Sequence, residues 1–161
     1  MKNGLTKRQQ MQAFLRYYRE QTGESEIDMH KVAEFAHGMG WQMPRPADPL
    51  SLLAAEFSQA AREEIRKDQK TGRPYRVNHA YPIKQGTEII YLWVDIEDAP
   101  RRPMQKALVN RREQMVGDAL QINLDAEHWS NINPAEQPIV MPLDFTDDVE
   151  WRKNGPDTKA N

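Results

Sequence analysis

The sequence predicts an α+β chain, on three observations. Apolar residues recur at helical spacing as far as about Lys67. From Tyr75 the period switches to alternation, and after Pro103 helical spacing returns and persists to about Leu124. The expected order is three helices, a β-hairpin, one long helix and an irregular tail.

Each element has a local reason. Thr6 is a natural N-cap, and Met11, Phe14, Leu15 and Tyr18 fall at i, i+3, i+4 and i+7, with Gly23 as the stop. A second helix is expected from about Asp28, burying Met29, Val32, Ala33 and Ala36 and ending at Gly38. Gly40, Pro44, Pro46 and Pro49 then interrupt regular structure. Asp48 and Pro49 suit the start of a third helix. Its expected core stripe is Leu50, Leu53, Ala54, Phe57, Ala61 and Ile65, running to about Lys67.

Tyr75, Val77, His79 and Tyr81 alternate with Arg76, Asn78 and Ala80, as in a strand with one face inward. A loop is expected over residues 82–87, then a second strand in "EIIYLWVD". The last helix carries two apolar stripes. Met104, Leu108, Met115, Ala119 and Ile122 form one, and Val109, Val116 and Leu120 the other. One stripe can cover the domain, which leaves the second for a partner or for the returning run "QPIVMPLDF". The tail is expected to be disordered from about Lys153.

Composition bounds the function. A chain of 161 residues with 39% apolar side chains can bury a core, and 29% charged residues give a wet surface. Cys is absent, which excludes disulfides, thiol nucleophiles and zinc–thiolate sites. With neither an apolar leader nor a membrane-length apolar run, a soluble cytoplasmic protein is expected. The net charge of −2 hides an asymmetry. Residues 60–113 hold 12 basic and 8 acidic side chains, whereas residues 114–161 hold 3 and 9. Basic character is therefore central, and the tail is acidic.

The order helix, helix, helix, hairpin over residues 6–96 resembles the winged helix-turn-helix superfamily. The resemblance implies a winged-helix-like domain over residues 1–98, with the third helix in the major groove of double-stranded DNA and the hairpin as a wing on the backbone. On the third helix Gln59, Arg62 and Arg66 lie away from the apolar stripe, beside the small Ser51, Ala55 and Ser58, and suit base-edge or phosphate contact. Lys70, Arg73, Arg76, Asn78 and Lys84 are the expected nucleic-acid contacts of the wing. The connection between helices two and three is longer than the tight turn of a standard helix-turn-helix, and Glu56 and Glu63 sit beside the proposed face.

The long helix, residues 99–133, is expected to dimerise the chain through Leu108, Met115, Ala119 and Ile122. Winged-helix proteins often dimerise through such an added helix, so a homodimer is also what the resemblance implies. Arg101, Arg102, Lys106, Arg111 and Arg112 make a second basic surface there. The expected function is non-enzymatic: a DNA-binding or DNA-associated regulatory protein of the transcription-regulation kind. The alternative is a protein-interaction adaptor that docks through the long helix and the acidic tail, residues 134–161. "PLDF" within that tail resembles the short motifs that bacterial replication proteins offer to a sliding clamp.

Catalysis finds little support in the residues. His79 shares a strand face with tyrosines, and no nucleophile motif accompanies it. His30 and His37 stand two helical turns apart, about 10 Å along the axis, so they do not form a metal pair. Gly38 and Gly40 lack the spacing of a phosphate-binding loop. No catalytic residue, metal or cofactor is expected.

Overall fold

The computed structural model describes residues 4–155. They form five helices and two antiparallel two-stranded sheets, a mixed helix-and-strand architecture compatible with α+β. The chain divides into two compact units, one ending at Asp48 and the other beginning at Pro49.

In the first unit, α1 spans Lys7–Thr22 and α2 spans Met29–Gly38. A reciprocal capping box starts α1. The Gln9 amide donates to Thr6 Oγ1 at 3.2 Å, and the Thr6 amide donates to Gln9 Oε1 at 2.8 Å. Gly23, at φ 69°, ends the helix in the left-handed region and returns its amide to the Arg19 carbonyl. Asp28 caps α2 by accepting the His30 amide at 2.8 Å. Aromatic contacts join the two helices. Tyr18 meets Phe35 edge-on at 5.4 Å, and Phe14 meets Trp41, just beyond α2, at 5.3 Å. Tyr18, Val32 and Ala36 are buried, whereas Met29, expected inside, is exposed.

In the second unit, α3 spans Pro49–Glu63, with proline at its first position. It ends before the expected Lys67, because Ile65–Lys67 form strand β1, which pairs with β2, Pro74–Arg76. Ile65 and Arg66 therefore belong to a strand, not to helix three. The expected core stripe of α3 also fails, since Leu50 and Phe57 are 75% and 69% exposed.

The expected single strand through Tyr81 is broken at Val77. Beyond it β3, Asn78–Gln85, pairs with β4, Glu88–Asp95, in the register Asn78↔Asp95 to Gln85↔Glu88. The strand passes through Pro82, where a loop was expected. In a two-stranded sheet each strand has an open edge, so proline's missing N–H leaves no ladder bond unmade. The turn shrinks to Gly86 and Thr87. Gly86 has φ 62° and Thr87 does not have positive φ, which is the pattern of a type II′ turn.

Helix α4, Arg101–Ile132, has 32 residues and is about 48 Å long. It lies on β3 through Ala107, which is fully buried. After α4 the chain turns back, and the Ile139 amide donates to Ser130 Oγ at 3.1 Å. The returning run does not seal the helix, because Val140 is 78% exposed and Ile139, Met141, Leu143 and Phe145 are exposed too. A fifth helix, α5, Thr146–Asn154, was not anticipated. Asp144 accepts the Thr146 amide at its start, so "PLDF" is the lead-in to a helix. Lys153 and Asn154, expected disordered, close α5, and residues 156–161 lie outside the described part of the chain.

Val77 has the largest fully buried side chain in the described structure. Val77→Ala removes two methyl groups from a closed site and should cost about 2 kcal/mol. The check is the midpoint of urea unfolding. An unchanged midpoint would place the packing centre of this unit elsewhere.

Candidate nucleic-acid interface

The basic segment opens with a tight turn. Asp68 Oδ1 accepts the amides of Lys70 at 2.9 Å and Thr71 at 2.8 Å. The Gly72 amide donates to the Asp68 carbonyl, and Gly72 takes φ 68°. The Asp68 amide in turn donates to the Arg73 carbonyl at 2.9 Å, which closes the hairpin. Lys70 thus stands exposed on an ordered tip. Arg73 is not free, because its guanidinium donates to Asn154 Oδ1 at 2.8 Å and ties α5 to this hairpin.

Arg66 and Gln59 are also committed locally. The Arg66 guanidinium donates to Glu64 at 2.9 Å, a bond that holds it above its ordinary pKa. Gln59 donates to Glu63 at 2.5 Å, one helical turn on. Lys84 lies exposed near the far end of β3. Lys70, Arg66 and Arg73 line a concavity of about 860 Å³ around the β1–β2 hairpin. Tyr75 borders it and donates to Glu97, a bond that raises the phenol's pKa.

A second, smaller pocket of about 170 Å³ brings together Arg62 from α3, Arg76 from β2 and Arg111 from α4. None of the three forms an ion pair among the described residues. Arg62 lies over the Trp93 ring at 5.4 Å. Burial first, then the charge of Arg76, pushes the half-buried Arg111 guanidinium below its ordinary pKa. It stays a cation at neutral pH, since arginine does not deprotonate in proteins. Asn78 lines the pocket while its amide nitrogen donates to the Ala61 carbonyl at 3.2 Å and to Glu64 at 2.9 Å. His79 forms part of the wall and is 5% exposed, with Nε2 2.9 Å from the Arg76 carbonyl oxygen.

Three of the eight expected contacts, Arg62, Arg76 and Asn78, therefore meet in one pocket. Arg66, Lys70 and Arg73 meet in another, while Gln59 and Lys84 join neither. Arg111 and its neighbours Asn110 and Gln114 complete the smaller pocket, although Arg111 figured in the sequence only as one of five cations on the long helix. The overlooked signal is spacing. Ala107, Asn110, Arg111 and Gln114 fall at i, i+3, i+4 and i+7, so a polar set continues the stripe that meets the sheet.

On α4, Leu108, Met115 and Ile122 are exposed and Ala119 is half-buried. Among the described residues no helix is long and apolar enough to cross a membrane, and no group of three or more His, Asp or Glu side chains is placed to hold a metal ion. No protein-family model, curated protein or solved structure matches the chain.

The turn under Lys70 has a defined acid limit. The Thr71 amide first and the Lys70 amide second hold the Asp68 carboxylate below its ordinary value. Their stabilisation is complete above the unfolded value, about pH 4, and is lost as pH falls through the lower folded value. In an NMR titration the Thr71 amide shift should move with a midpoint below that of an ordinary aspartate. The transition should vanish in Asp68→Asn. A midpoint at the ordinary value would mean that the turn does not hold this carboxylate.

Proposed function

We propose that the protein is a non-enzymatic, DNA-associated regulatory protein with a winged-helix-like arrangement, acting as a homodimer on double-stranded DNA. The observation that carries this reading is the convergence of Arg62, Arg76 and Arg111, none of them ion-paired among the described residues, on one pocket. Like charges repel at such distances, and an anion between them removes the repulsion. Guanidinium groups also match phosphate oxygens in geometry, so backbone phosphates are the natural counter-charge. Lys70 and Lys84, exposed on two separate hairpins, add sequence-independent contacts.

Dimerisation rests on α4. Leu108, Met115 and Ile122 recur every seven residues, and Trp129 continues the series, the spacing of a seam between helices. The alternative, a docking adaptor, draws on the tail, where Val140 and Trp151 are 78% and 73% exposed. Loss of protein partners on removal of residues 134–161, in a preparation that does not shift DNA, would favour it.

Duplex affinity, read by fluorescence anisotropy, should fall linearly with salt on logarithmic axes. Arg62→Ala and Arg76→Ala should each lower the slope by about one unit. Folded protein that fails to bind duplex at low salt would overturn the DNA reading. In sedimentation, Met115→Glu should shift the chain from dimer to monomer, and a wild-type monomer at high concentration would remove the α4 seam.

A further inference from the structure

The arginine pocket is more selective than a strip of backbone contacts requires. We infer that it takes a phosphate monoester, either the 5′-terminal phosphate of a nucleic-acid strand or that of a free nucleotide. The inference rests on reading this cluster as a phosphate site and narrows the kind of phosphate.

Charge is the first argument. Three guanidinium groups line the pocket, and no acidic side chain of the described residues lines it with them. A backbone diester brings one negative charge, whereas a monoester brings about 1.5 to 2 at neutral pH. The monoester comes closer to neutralising the cluster, and the partial burial of Arg111 strengthens each attraction by excluding water.

Hydrogen-bond inventory is the second argument. The wall is rich in donors, with three guanidinium groups and the side-chain amides of Asn110 and Gln114. A monoester offers three terminal oxygens to accept them, where a diester offers two.

Size is the third. A volume of about 170 Å³ equals roughly six waters at about 30 Å³ each. That accommodates a phosphoryl group and the first atoms of what it esterifies. Trp93, already under Arg62, and Asn110 provide an aromatic and an amide wall for those atoms.

The test uses the full chain. Calorimetry should show binding of thymidine 5′-monophosphate and none of thymidine, with inorganic phosphate competing. In anisotropy, a duplex with 5′-phosphates should bind about tenfold more tightly than the same duplex with 5′-hydroxyls. Arg111→Gln should abolish both effects. Because Arg111 is half-buried, the exposed Arg76→Gln serves as a second variant whose folding is less at risk. Equal binding of the two duplexes with no response to the monophosphate overturns the monoester site and leaves the DNA reading standing. Binding of the monophosphate by protein that binds neither duplex sustains the pocket, assigns it to a free nucleotide and overturns the DNA reading. Silence in every arm overturns both.

Discussion

Val77 is the joint on which the second unit depends. Its amide donates to the Glu64 carbonyl at 3.1 Å and its carbonyl accepts the Ile96 amide at 2.8 Å. One residue therefore secures the segment leaving α3, the end of β2 and the exit from β4. Its side chain is closed off from solvent, so both of these bonds work in a dry setting where an unmade partner is costly. The next residue completes the joint. Asn78 donates to the Ala61 carbonyl, one of the last-turn acceptors that a helix cannot satisfy itself. Arg62 and Arg76 flank these two anchors, and their approach follows from the joint, not from any attraction between two cations.

Such a cluster has to be imposed by the fold. Arg111 is brought in because Ala107, one turn earlier on α4, has a side chain small enough for the helix to press against β3. Once there, the guanidinium loses water and faces another cation, which is why its proton is held less firmly than usual. Arginine tolerates this better than lysine, since its charge is delocalised and weakly hydrated. The described part of the acidic tail does not offset the cluster. Its helix is tethered elsewhere, through Asn154 to Arg73, and no described residue beyond Gln114 lines the pocket.

The sequence carried local signals well and long-range ones poorly. The Thr6 and Asp28 caps, Gly23 and the β-branched run in "EIIYLWVD" each act within a few residues, and each element stands where those signals put it. The division at Val77 was invisible, because alternation continues through it and only the pairing, β2 back to β1 and β3 on to β4, separates two sheets. The end of α3 was misplaced because Ile65 fits a helical stripe as well as a strand. Helix α5 escaped notice because it has no apolar face, and its order comes from Asp144, acids in the first turn and cations in the last. For the candidate site, Arg62, Arg76 and Asn78 were legible as surface cations and amides near one another in sequence. Arg111 was not, since nothing local says which face of a long helix meets a sheet.

The long helix poses the remaining physical question. Its first third is pinned at Ala107, and its last turn by Ser130 and by Asn133, whose amide group donates to the Trp129 carbonyl. Between them Met115, Val116, Leu120 and Ile122 are all exposed, and Gly117 sits mid-helix with open space around it. A glycine there costs about 1 kcal/mol relative to alanine. Helical order over such a span comes mainly from packing an amphipathic face, because propensity alone is marginal. A stretch that carries apolar residues on more than one face, and a glycine at its centre, lacks that packing within its own unit. The middle of α4 therefore leaves apolar side chains uncovered within its own unit, and the heptad spacing of Leu108, Met115 and Ile122 is the surface that the proposed homodimer would cover.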